Sequence, residues 1–436
     1  MNNQVMSDLE RQAVEQPVKK SGLPGQREGV RVAYIMSRFP KFTETFILYE
    51  MLAMEQAGVQ VEVYPLLREK TTFMHPEAQA YVEQAHFQPF ISWPILRANL
   101  HYIRRKPKAY FGALWSLLQG TWGSFRFFTG AMGIFPKTVL FAHKMTSAGI
   151  SHVHAHFASH PAAAAFVIQR LTGIPYSFTA HGSDIHRDRT MLLDKVAEAA
   201  FVVPISSFNR DVIMETCGGQ YGDKMHVIHC GVDTQVFRPP AKNGNRPQPA
   251  PFTILCVGTL HEVKGQSYLI EACRLLHAGG VELTCHLAGD GPDREALTAQ
   301  ARQAGLEDRV HFHGRMTRAE VAELIQVTDV VVTPSVPSRD GRREGIPVVL
   351  MEAMASGVPV VASRLSGIPE LAIDEQTGLL TPPGDAEALA DALERLWHDP
   401  GLRQRLGKAG RDKVLREFDL HTNAAELARH FRTEVP

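Results

Sequence analysis

The chain has 436 residues, of which 44% are hydrophobic, and this suffices for two or three domains with sizeable cores. Its 46 lysines and arginines balance 46 aspartates and glutamates, so net charge gives no support to a nucleic-acid partner. Five cysteines form no C-x-x-C pair and are expected to be reduced and buried in a cytosolic protein: Cys217, Cys230, Cys256, Cys273 and Cys285.

The first 29 residues are polar and mixed in charge, and we predict a disordered tail at 1–29. They contain no basic region followed by an apolar core, so a secretory signal is expected to be absent. No stretch of the chain reaches the roughly 18 apolar residues of a membrane-spanning helix. The composition therefore predicts a soluble or surface-attached protein.

The first predicted unit is a β-α-β crossover. A strand at 30–36 is followed by a helix at about 43–58 and by an alternating strand at 59–66. Thr43 can cap the helix, and Glu44 places a favourable charge in its first turn. Two strands joined by a crossover helix indicate parallel pairing.

The next segment combines cationic and aromatic side chains. No acidic residue occurs between Glu83 and Asp184. This mixture suits an interfacial helix on an anionic membrane, or a groove for a lipid-diphosphate acceptor, with residues 92–144 as the contact surface. Domain core is an equally good explanation of the apolar part, and nucleic-acid binding is a weaker one. The residues concerned are Arg97, Arg104, Arg105, Lys106, Lys108, Arg126, Lys137 and Lys144, with Trp93, Tyr102, Tyr110, Phe111, Trp115, Trp122, Phe125, Phe127 and Phe128.

Two histidine-containing segments follow, at 152–157 and 176–184. On a strand, His154 and His156 share one face, but no coherent carboxylate or cysteine set joins them, so we expect no metal. His181 follows a strand-like run, which puts it at a strand's carboxyl end, where open α/β sheets bind their ligands. A capping or turn histidine is the alternative interpretation of that position.

Residues 238–251 are rich in proline, glycine and polar side chains and form the clearest linker. After them, short apolar strands alternate with helices, which indicates a second doubly wound parallel sheet. The predicted organisation is a tail at 1–29, a first domain at 30–237, a linker at 238–251, a second domain at 252–415, and a terminal helix at 416–436 that packs back on the first domain.

The most informative stretch is 343–367. Glu344 precedes a helix that Pro347 can open and Gly357 can end, and Glu352 lies within it. The N-terminus of that helix offers unpaired N–H groups and the positive end of a dipole, which favour a phosphate. Glu352 is an isolated charge among apolar residues. A solvated outer face is one explanation, but the cost of burying an unpartnered carboxylate favours a ligand-binding role.

These residues resemble a known signature. Glu344 and Glu352, the intervening Gly-Ile-Pro-Val-Val-Leu-Met, and the later Gly-Ile-Pro-Glu at 367–370 resemble the E-x7-E motif of group 1 (family 4) retaining glycosyltransferases. The loop at 37–47 resembles that of the exopolysaccharide and colanic-acid-type members. The resemblance implies the GT-B fold, an α/β architecture in which two Rossmann-like doubly wound domains face each other across a cleft and C-terminal helices cross back to the first domain.

The resemblance also implies roles for individual residues. Lys264 is similar to the family's diphosphate-binding lysine, Glu352 is implied to accept hydrogen bonds from ribose hydroxyls, and Glu344 to face the donor sugar. The implied catalytic residues are His181, Lys264 and Glu344. The implied donor-binding residues are Gly258, Thr259, Lys264, Arg315, Glu344, Gly345, Ile346, Pro347, Val348, Val349 and Glu352.

One position departs from the family pattern. The family usually has an arginine directly after the glycine at 258, where this chain has Thr259. A second cation for the phosphates must therefore come from another position. Arg315, Arg342 and Arg343 lie near the motif loops and are the candidates.

The implied activity is retaining transfer of a sugar from a UDP- or GDP-sugar to a growing, lipid-linked glycan in exopolysaccharide or cell-surface polysaccharide synthesis. The protein would act in the cytoplasm, peripherally on the inner membrane surface. No cofactor and no metal are expected, because Lys264 and the helix N-terminus can stabilise the leaving phosphate. A phosphate oxygen of the leaving group is the expected base.

Two other classes of function are alternatives. A GT-B-fold nucleotide-sugar epimerase needs no acceptor, but it relies on a different set of carboxylates and histidines. A non-catalytic nucleotide-sugar-binding protein would not need the complete set His181, Lys264, Glu344 and Glu352. Assays for transfer, epimerisation or binding alone distinguish the three.

Overall fold

The computed structural model describes residues 30–71, 74–240, 251–339 and 341–433. The predicted tail at 1–29 and most of the predicted linker at 238–251 lie outside the described residues. The described chain is built around two separate sheets, one in each half of the sequence, and both are entirely parallel.

The first sheet has the order β2-β1-β3-β4-β5. Its three inner strands and β5 are almost completely buried on both faces, as expected for a parallel sheet covered by helices. In register, Ala155 of the third strand faces Phe178 of the fourth. The strands are β1 (Arg31–Phe39), β2 (Gln60–Arg68), β3 (His152–His156), β4 (Tyr176–Ala180) and β5 (Phe201–Pro204).

In the described part of the first half, nine α-helices connect or follow the strands of this sheet. Between β2 and β3 the chain forms a layer of long helices, which bury Tyr102, Tyr110 and Phe127 against the core. In chain order the helices are α1 (Thr45–Gln56), α2 (Gln79–Gln84), α3 (Trp93–Arg105), α4 (Pro107–Thr121), α5 (Phe125–Ala148), α6 (His160–Thr172), α7 (Ser183–His186), α8 (Leu192–Glu198) and α9 (Ser207–Thr216), and two 3-10 turns lie at Pro76–Ala78 and Gly222–Lys224.

The second sheet has the order β11-β10-β9-β6-β7-β8. Its central strands β9 and β10 are runs of four residues, Val-Val-Val-Thr and Val-Val-Ala-Ser, that are buried throughout. The strands are β6 (Phe252–Val257), β7 (Leu283–Ala288), β8 (Val310–Gly314), β9 (Val330–Thr333), β10 (Val360–Ser363) and β11 (Leu379–Thr381).

Helices cover both faces of the second sheet. The central one, α13, begins directly after Pro347 and is followed by Gly357 in the left-handed conformation (φ +74°), as its sequence predicts. The helices are α10 (Gln266–Ala278), α11 (Arg294–Gln303), α12 (Arg318–Gln326), α13 (Val348–Ala355), α14 (Ile368–Leu371), α15 (Ala386–His398), α16 (Pro400–Glu417) and α17 (Leu420–Thr433), with a 3-10 turn at Glu262–Lys264.

The last helix, α17, leaves the second half and packs on the first sheet. Leu427, Ala428 and Phe431 are buried in one cluster with Tyr34 and with Met51 of α1. This confirms the predicted return of the C-terminal helix. Among the described residues, no helix combines the length and the apolar character that crossing a bilayer requires.

The structure also differs from the predicted elements. β1 continues to Phe39 rather than ending at residue 36, because its pairing with β2 continues to Phe39 opposite Arg68. Among the described elements, the three-residue strand β11 and six helices were not predicted: α2, α7, α8, α9, α11 and α14. α14 and β11 are too short for a periodic pattern, and β11 is defined by its pairing with β10.

Candidate active site

The two segments singled out in the sequence meet in space. A side-chain carbon added to Gly345, just before α13, would lie 2.5 Å from the carbonyl oxygen of His181 at the end of β4. Only a residue without a side chain permits this approach. The carboxyl end of the first sheet therefore contacts the loop that carries Glu344, and the predicted site lies between the two halves of the protein.

Lys264 and Glu344 form the charged centre of this region. Lys264 ends the 3-10 turn that follows β6, and its Nζ lies 2.5 Å from Oε2 of Glu344. The side chains are 25% and 17% exposed, so both are accessible from the cleft. Strands β6 and β9 are neighbours in the sheet, which explains how residues 80 positions apart in sequence become partners.

Glu352 lies on α13 among buried apolar residues, as predicted. Burial raises its pKa to about 7, and Arg318 acts in the opposite direction. Arg318 lies at the start of α12, where its Nη2 is 3.7 Å from Oδ2 of Asp233, and its guanidinium lies over the ring of Tyr49, 3.9 Å from the ring centroid. A bound ligand that donates hydrogen bonds to Glu352 would stabilise its ionised form.

Arg318 was missed by the sequence reasoning. The Thr317–Glu320 capping box fixes the start of α12, but this signal marks a helix and not a ligand. Of the predicted second cations, Arg315 is 54% exposed and lies 3.9 Å from Asp290, after the edge strand β8. Arg343 lies near His186, whose pKa is lowered by burial first and by Arg343 second.

The turn after β4 is fixed by one carboxylate. Asp184 accepts hydrogen bonds from the N–H groups of His181 (3.1 Å), Gly182 (2.7 Å) and Ala158 (2.6 Å). Gly182 has φ +135°, a conformation that side chains strongly disfavour. The main chain around His181 therefore has a rigid, defined position against Gly345.

The imidazole of His181 lies within the first half. It is 8% exposed, its Nε2 is 3.1 Å from Nδ1 of His156, and its Nδ1 is 3.9 Å from Sγ of Cys230. The rings of Phe46 and Phe157 lie beside it, with centroids at 4.6 and 4.8 Å. Burial and the neighbouring His156 lower its pKa well below the usual range, so the ring is neutral at physiological pH.

A possible ligand set for a metal lies behind this histidine. Glu50, His154 and His156 place one ligand atom each within 4.8 Å of one another. However, His154 already contacts hydroxyl groups with both ring nitrogens, Ser177 Oγ at 2.8 Å and Thr179 Oγ1 at 2.9 Å. A metal would have to replace one of these hydrogen bonds, so the donor set fits a hydrogen-bonded network better than a metal centre.

A second contact between the halves comes from Glu370 on α14. Its carboxylate accepts hydrogen bonds from the N–H groups of Ser207 and Phe208, each at 2.8 Å, at the start of α9. A carboxylate at a helix N-terminus is favourable because unpaired donors and the helix dipole meet there. The sequence motif at 367–370 was recognised, but this role for its glutamate was not predicted.

Comparisons with known proteins agree with the division of the chain into two halves. The sequence model of Glycosyltransferase Family 4 matches residues 43–236, and that of Glycosyl transferases group 1 matches residues 238–413. The chain is 30% identical over 421 residues to the colanic acid biosynthesis glycosyltransferase WcaL of Salmonella typhimurium, covering 93% of this chain and 100% of the relative. It is 29% identical over 423 residues to the amylovoran biosynthesis glycosyltransferase AmsK of Erwinia amylovora, covering 92% and 98%.

Solved structures share the fold. A glycosyltransferase from Rickettsia africae has a TM-score of 0.70 at 15% identity, covering 94% of this chain and 99% of that chain. HepE from Anabaena, solved in complex with UDP, has a TM-score of 0.67 at 20% identity, covering 92% and 100%. Three findings agree with one another. The two parallel sheets meet across a cleft, the two family matches divide at the linker, and the relatives match over most of this chain. The chain therefore belongs to the group 1 (family 4) glycosyltransferases and has the GT-B fold.

Proposed function

We propose that the protein transfers a sugar, with retention of anomeric configuration, from a UDP- or GDP-sugar to a growing lipid-linked glycan of an exopolysaccharide. The observation that carries this proposal is the Lys264–Glu344 ion pair before the N-terminus of α13, in contact with the His181 turn of the other half. The names of WcaL and AmsK support polysaccharide synthesis, and the HepE complex supports a UDP-linked donor.

The proposed donor site stabilises the leaving diphosphate. Val348 and Val349 occupy the first turn of α13, where N–H groups lack intrahelical partners and the helix dipole favours an anion. When a phosphate draws Lys264 away from Glu344, that carboxylate becomes free to accept hydrogen bonds from sugar hydroxyls. In this arrangement Glu352 accepts hydrogen bonds from the ribose hydroxyls, and Arg318 partly stabilises the charge of its carboxylate.

The chemistry requires charge stabilisation while the glycosidic bond breaks. A leaving phosphate oxygen acts as the base for the acceptor hydroxyl, and His181 orients the sugar from the first half. Fixed donors and the Lys264 ammonium supply the stabilisation, so the reaction is proposed to need neither a cofactor nor a metal. Contact between the halves makes their closure part of the catalytic cycle.

A panel of radiolabelled UDP- and GDP-sugars tests this function, with and without a lipid-linked oligosaccharide and with EDTA in parallel. We expect label to appear in the lipid product with one donor, in the same anomeric configuration and without loss of rate in EDTA. Epimerised donor, or donor binding without turnover, would contradict the proposal. Activity that disappears in EDTA and returns with Mg²⁺ would contradict the metal-independent mechanism alone.

The surface of α3 and α4 supports action at a membrane. Trp93, Leu96, Leu100 and Ile103 lie on one face of α3 and are all exposed, and Trp93 is 83% exposed. Exposed aromatic residues continue beyond α3, and exposed basic residues are interleaved with them. Such a surface is complementary to an anionic bilayer on the cytoplasmic side. The further residues are Phe111, Trp115, Trp122 and Phe125, with Arg97, Arg104, Arg105, Lys108 and Arg126.

A further inference from the structure

A row of buried polar side chains leads from the centre of the first half to His181. The hydroxyl of Tyr34 donates to Oε1 of Glu50 at 2.9 Å. The same oxygen lies 3.3 Å from Nε2 of His156, and Nδ1 of His156 lies 3.1 Å from Nε2 of His181. His156 ends β3 and His181 directly follows β4, whereas Glu50 reaches His156 from α1. The row therefore connects a rigid sheet to the residue at the cleft.

The order of donors and acceptors along this row is determined. A carboxylate offers only lone pairs, so the nitrogen that faces Glu50 must carry the proton, which makes His156 an Nε2–H tautomer. Nδ1 of a neutral His156 is then an acceptor, and the hydrogen bond to it requires a proton on Nε2 of His181. Nδ1 of His181 is left without a proton and is an acceptor, which in the unliganded protein faces Sγ of Cys230 at 3.9 Å.

The opposite assignment is unfavourable at each step. A proton on Nδ1 of His156 would leave a lone pair on its Nε2 directed at a carboxylate oxygen. Tyr34 cannot relieve this repulsion, because it is fully buried and burial raises its pKa well above the usual range, so its hydroxyl stays protonated and donates. Glu50 therefore biases the proton position on His181 through one carboxylate–imidazole contact of 3.3 Å and one hydrogen bond.

We propose that Glu50 and His156 are positioning residues that fix the orientation and the Nε2–H tautomer of His181, so that its Nδ1 accepts from a hydroxyl of the donor sugar. This inference rests on the proposed function. It assigns Glu50, which lies on α1 and far from the signature motif in sequence, to the same site as Lys264 and Glu344. Neither residue touches the reacting atoms in this assignment.

The chain offers a matched control in the same half. Tyr64 donates to Oε2 of Glu62 at 3.1 Å, and Nε2 of His86 lies 3.2 Å from the same oxygen. This second Tyr–Glu–His group has the same composition but lies on the edge strand β2. Its loss should therefore affect folding as the loss of Glu50 does, without changing His181.

The experiment compares Glu50→Leu, Glu50→Gln and Glu62→Leu in the full-length protein. Glu50→Leu should lower kcat for transfer about 10- to 100-fold, the usual effect of removing a residue that orients a functional histidine, while UDP affinity stays within about twofold of the parent. Glu50→Gln keeps an accepting oxygen and should retain most of kcat. Glu62→Leu should leave kcat unchanged.

A second readout does not depend on activity. The imidazole ¹⁵N shifts of His181, assigned by comparison with His181→Ala, should show a protonated Nε2 in the parent, Glu50→Gln and Glu62→Leu, and a changed pattern in Glu50→Leu. Unchanged shifts in Glu50→Leu, or equal losses of kcat in Glu50→Leu and Glu62→Leu, would overturn the proposal. If Glu50→Leu does not fold, His156→Phe removes the Nδ1 acceptor that holds the proton on Nε2 of His181 and should have the same effect. If the parent protein transfers no sugar, the proposed function is wrong. The ¹⁵N shifts then still test whether Glu50 sets the tautomer of His181.

Discussion

Lys264 and Glu344 neutralise each other in the absence of a donor. A diphosphate must compete with the Glu344 carboxylate for the ammonium group, so part of the attraction for the phosphate is offset by the ion pair that it breaks. The ion pair also keeps the lysine near its working position. Charge that develops on the leaving phosphate during the reaction strengthens the new contact, which favours the transition state over the ground state.

We expect Lys264→Ala to lower kcat about 10²- to 10³-fold, the effect of removing one donor to a developing negative charge. His181→Ala should impair transfer but leave affinity for bare UDP near the parent value, because the imidazole lies in the other half of the protein. Steady-state kinetics and calorimetric UDP binding measure both effects. Arg395→Ala, which removes an exposed ion pair with Glu375, is the control. Weaker UDP binding by His181→Ala, equal to that of Lys264→Ala, would contradict the division of roles.

Glu352 should make stability depend on pH. Its pKa is about 7 in the folded protein against 4.5 for the ordinary group, so the folded state binds this proton more tightly than the unfolded state. The stabilisation of the folded state by this proton is fully present below pH 4.5 and is lost as pH rises through 7. The amide of Glu352→Gln has no such proton to release. Between pH 4.5 and 8 its free energy of unfolding should therefore rise by up to about 3 kcal/mol relative to that of the parent.

Melting temperatures of the unliganded proteins at pH 5 and pH 8 test this expectation. The difference in Tm between Glu352→Gln and the parent should be larger at pH 8. Glu323→Gln, on the exposed face of α12, is the control variant. A Tm difference that is the same at both pH values would show that the Glu352 carboxyl is solvated, as in the alternative interpretation of the sequence.

The charged centre of the site was only partly predictable at the level of residues. Lys264, Glu344 and Glu352 were identified because a family signature and a helix N-terminus coincide at them. The ion pair between Lys264 and Glu344 depends on the adjacency of β6 and β9, which no local pattern reveals. Arg318 was missed for the same reason, since its partners Asp233 and Tyr49 come from other parts of the chain.

At the scale of elements, α3 and α4 expose apolar side chains that a buried helix would cover. We expect Arg104→Ser/Arg105→Ser to reduce partitioning into anionic liposomes about 30-fold at low salt, since each cation near an anionic surface contributes about 1 kcal/mol before screening. Sedimentation at low and high salt measures the loss. Trp93→Ser/Trp115→Ser should reduce partitioning at both salt concentrations, because its effect is hydrophobic.

A matched control removes the same charge elsewhere. Arg405→Ser/Arg416→Ser changes two exposed arginines on α16 in the second half. It should leave partitioning unchanged. An equal loss in the control would attribute binding to net charge and not to the surface of α3 and α4.

The domain-core explanation of the aromatic, basic segment is confirmed for part of it, and the membrane explanation stays a prediction for the exposed part. Tyr102, Tyr110 and Phe127 are buried in the core, and Lys137 is buried with its ammonium donating to the carbonyl of Leu66 at 2.8 Å. Lys106 donates to the carbonyl of Leu171 at 3.1 Å. Composition could not separate core from surface here, because the helical phase of each residue depends on where three consecutive helices begin. The opening strands and the helix between them needed no such information, and each was predicted to within three residues at both ends.

At the scale of the whole molecule, two chain crossings and one helix cap are among the described contacts that join the halves. The crossings lie side by side, since Val232 donates to the carbonyl of Phe418 at 2.9 Å and accepts from the N–H of Leu420 at 3.1 Å. Glu370 accepts two hydrogen bonds at the start of α9. We expect closure of the cleft to combine bending at the paired segments with this carboxylate latch.

Glu370→Ala should weaken this latch by about 1 kcal/mol, the usual effect of losing a helix cap. Donor KM should rise about fivefold, and the radius of gyration in solution should increase, as measured by kinetics and small-angle scattering. Asp385→Ala is a matched control, because Asp385 caps α15 within its own half through Ala388 at 2.9 Å. It should lower Tm without changing KM. A similar change of KM in both variants would refute the latch.

The return of α17 to the first sheet has a consequence for how the protein is made. Leu427, Ala428 and Phe431 help to complete the packing around Tyr34 and α1, and they follow the entire second half in the sequence. The first half therefore leaves the ribosome with part of its apolar surface uncovered while the second half is translated. We expect that the N-terminal half cannot finish folding before the second half is made, in contrast to the usual domain-by-domain order. Its packing can be completed only once α17 has emerged.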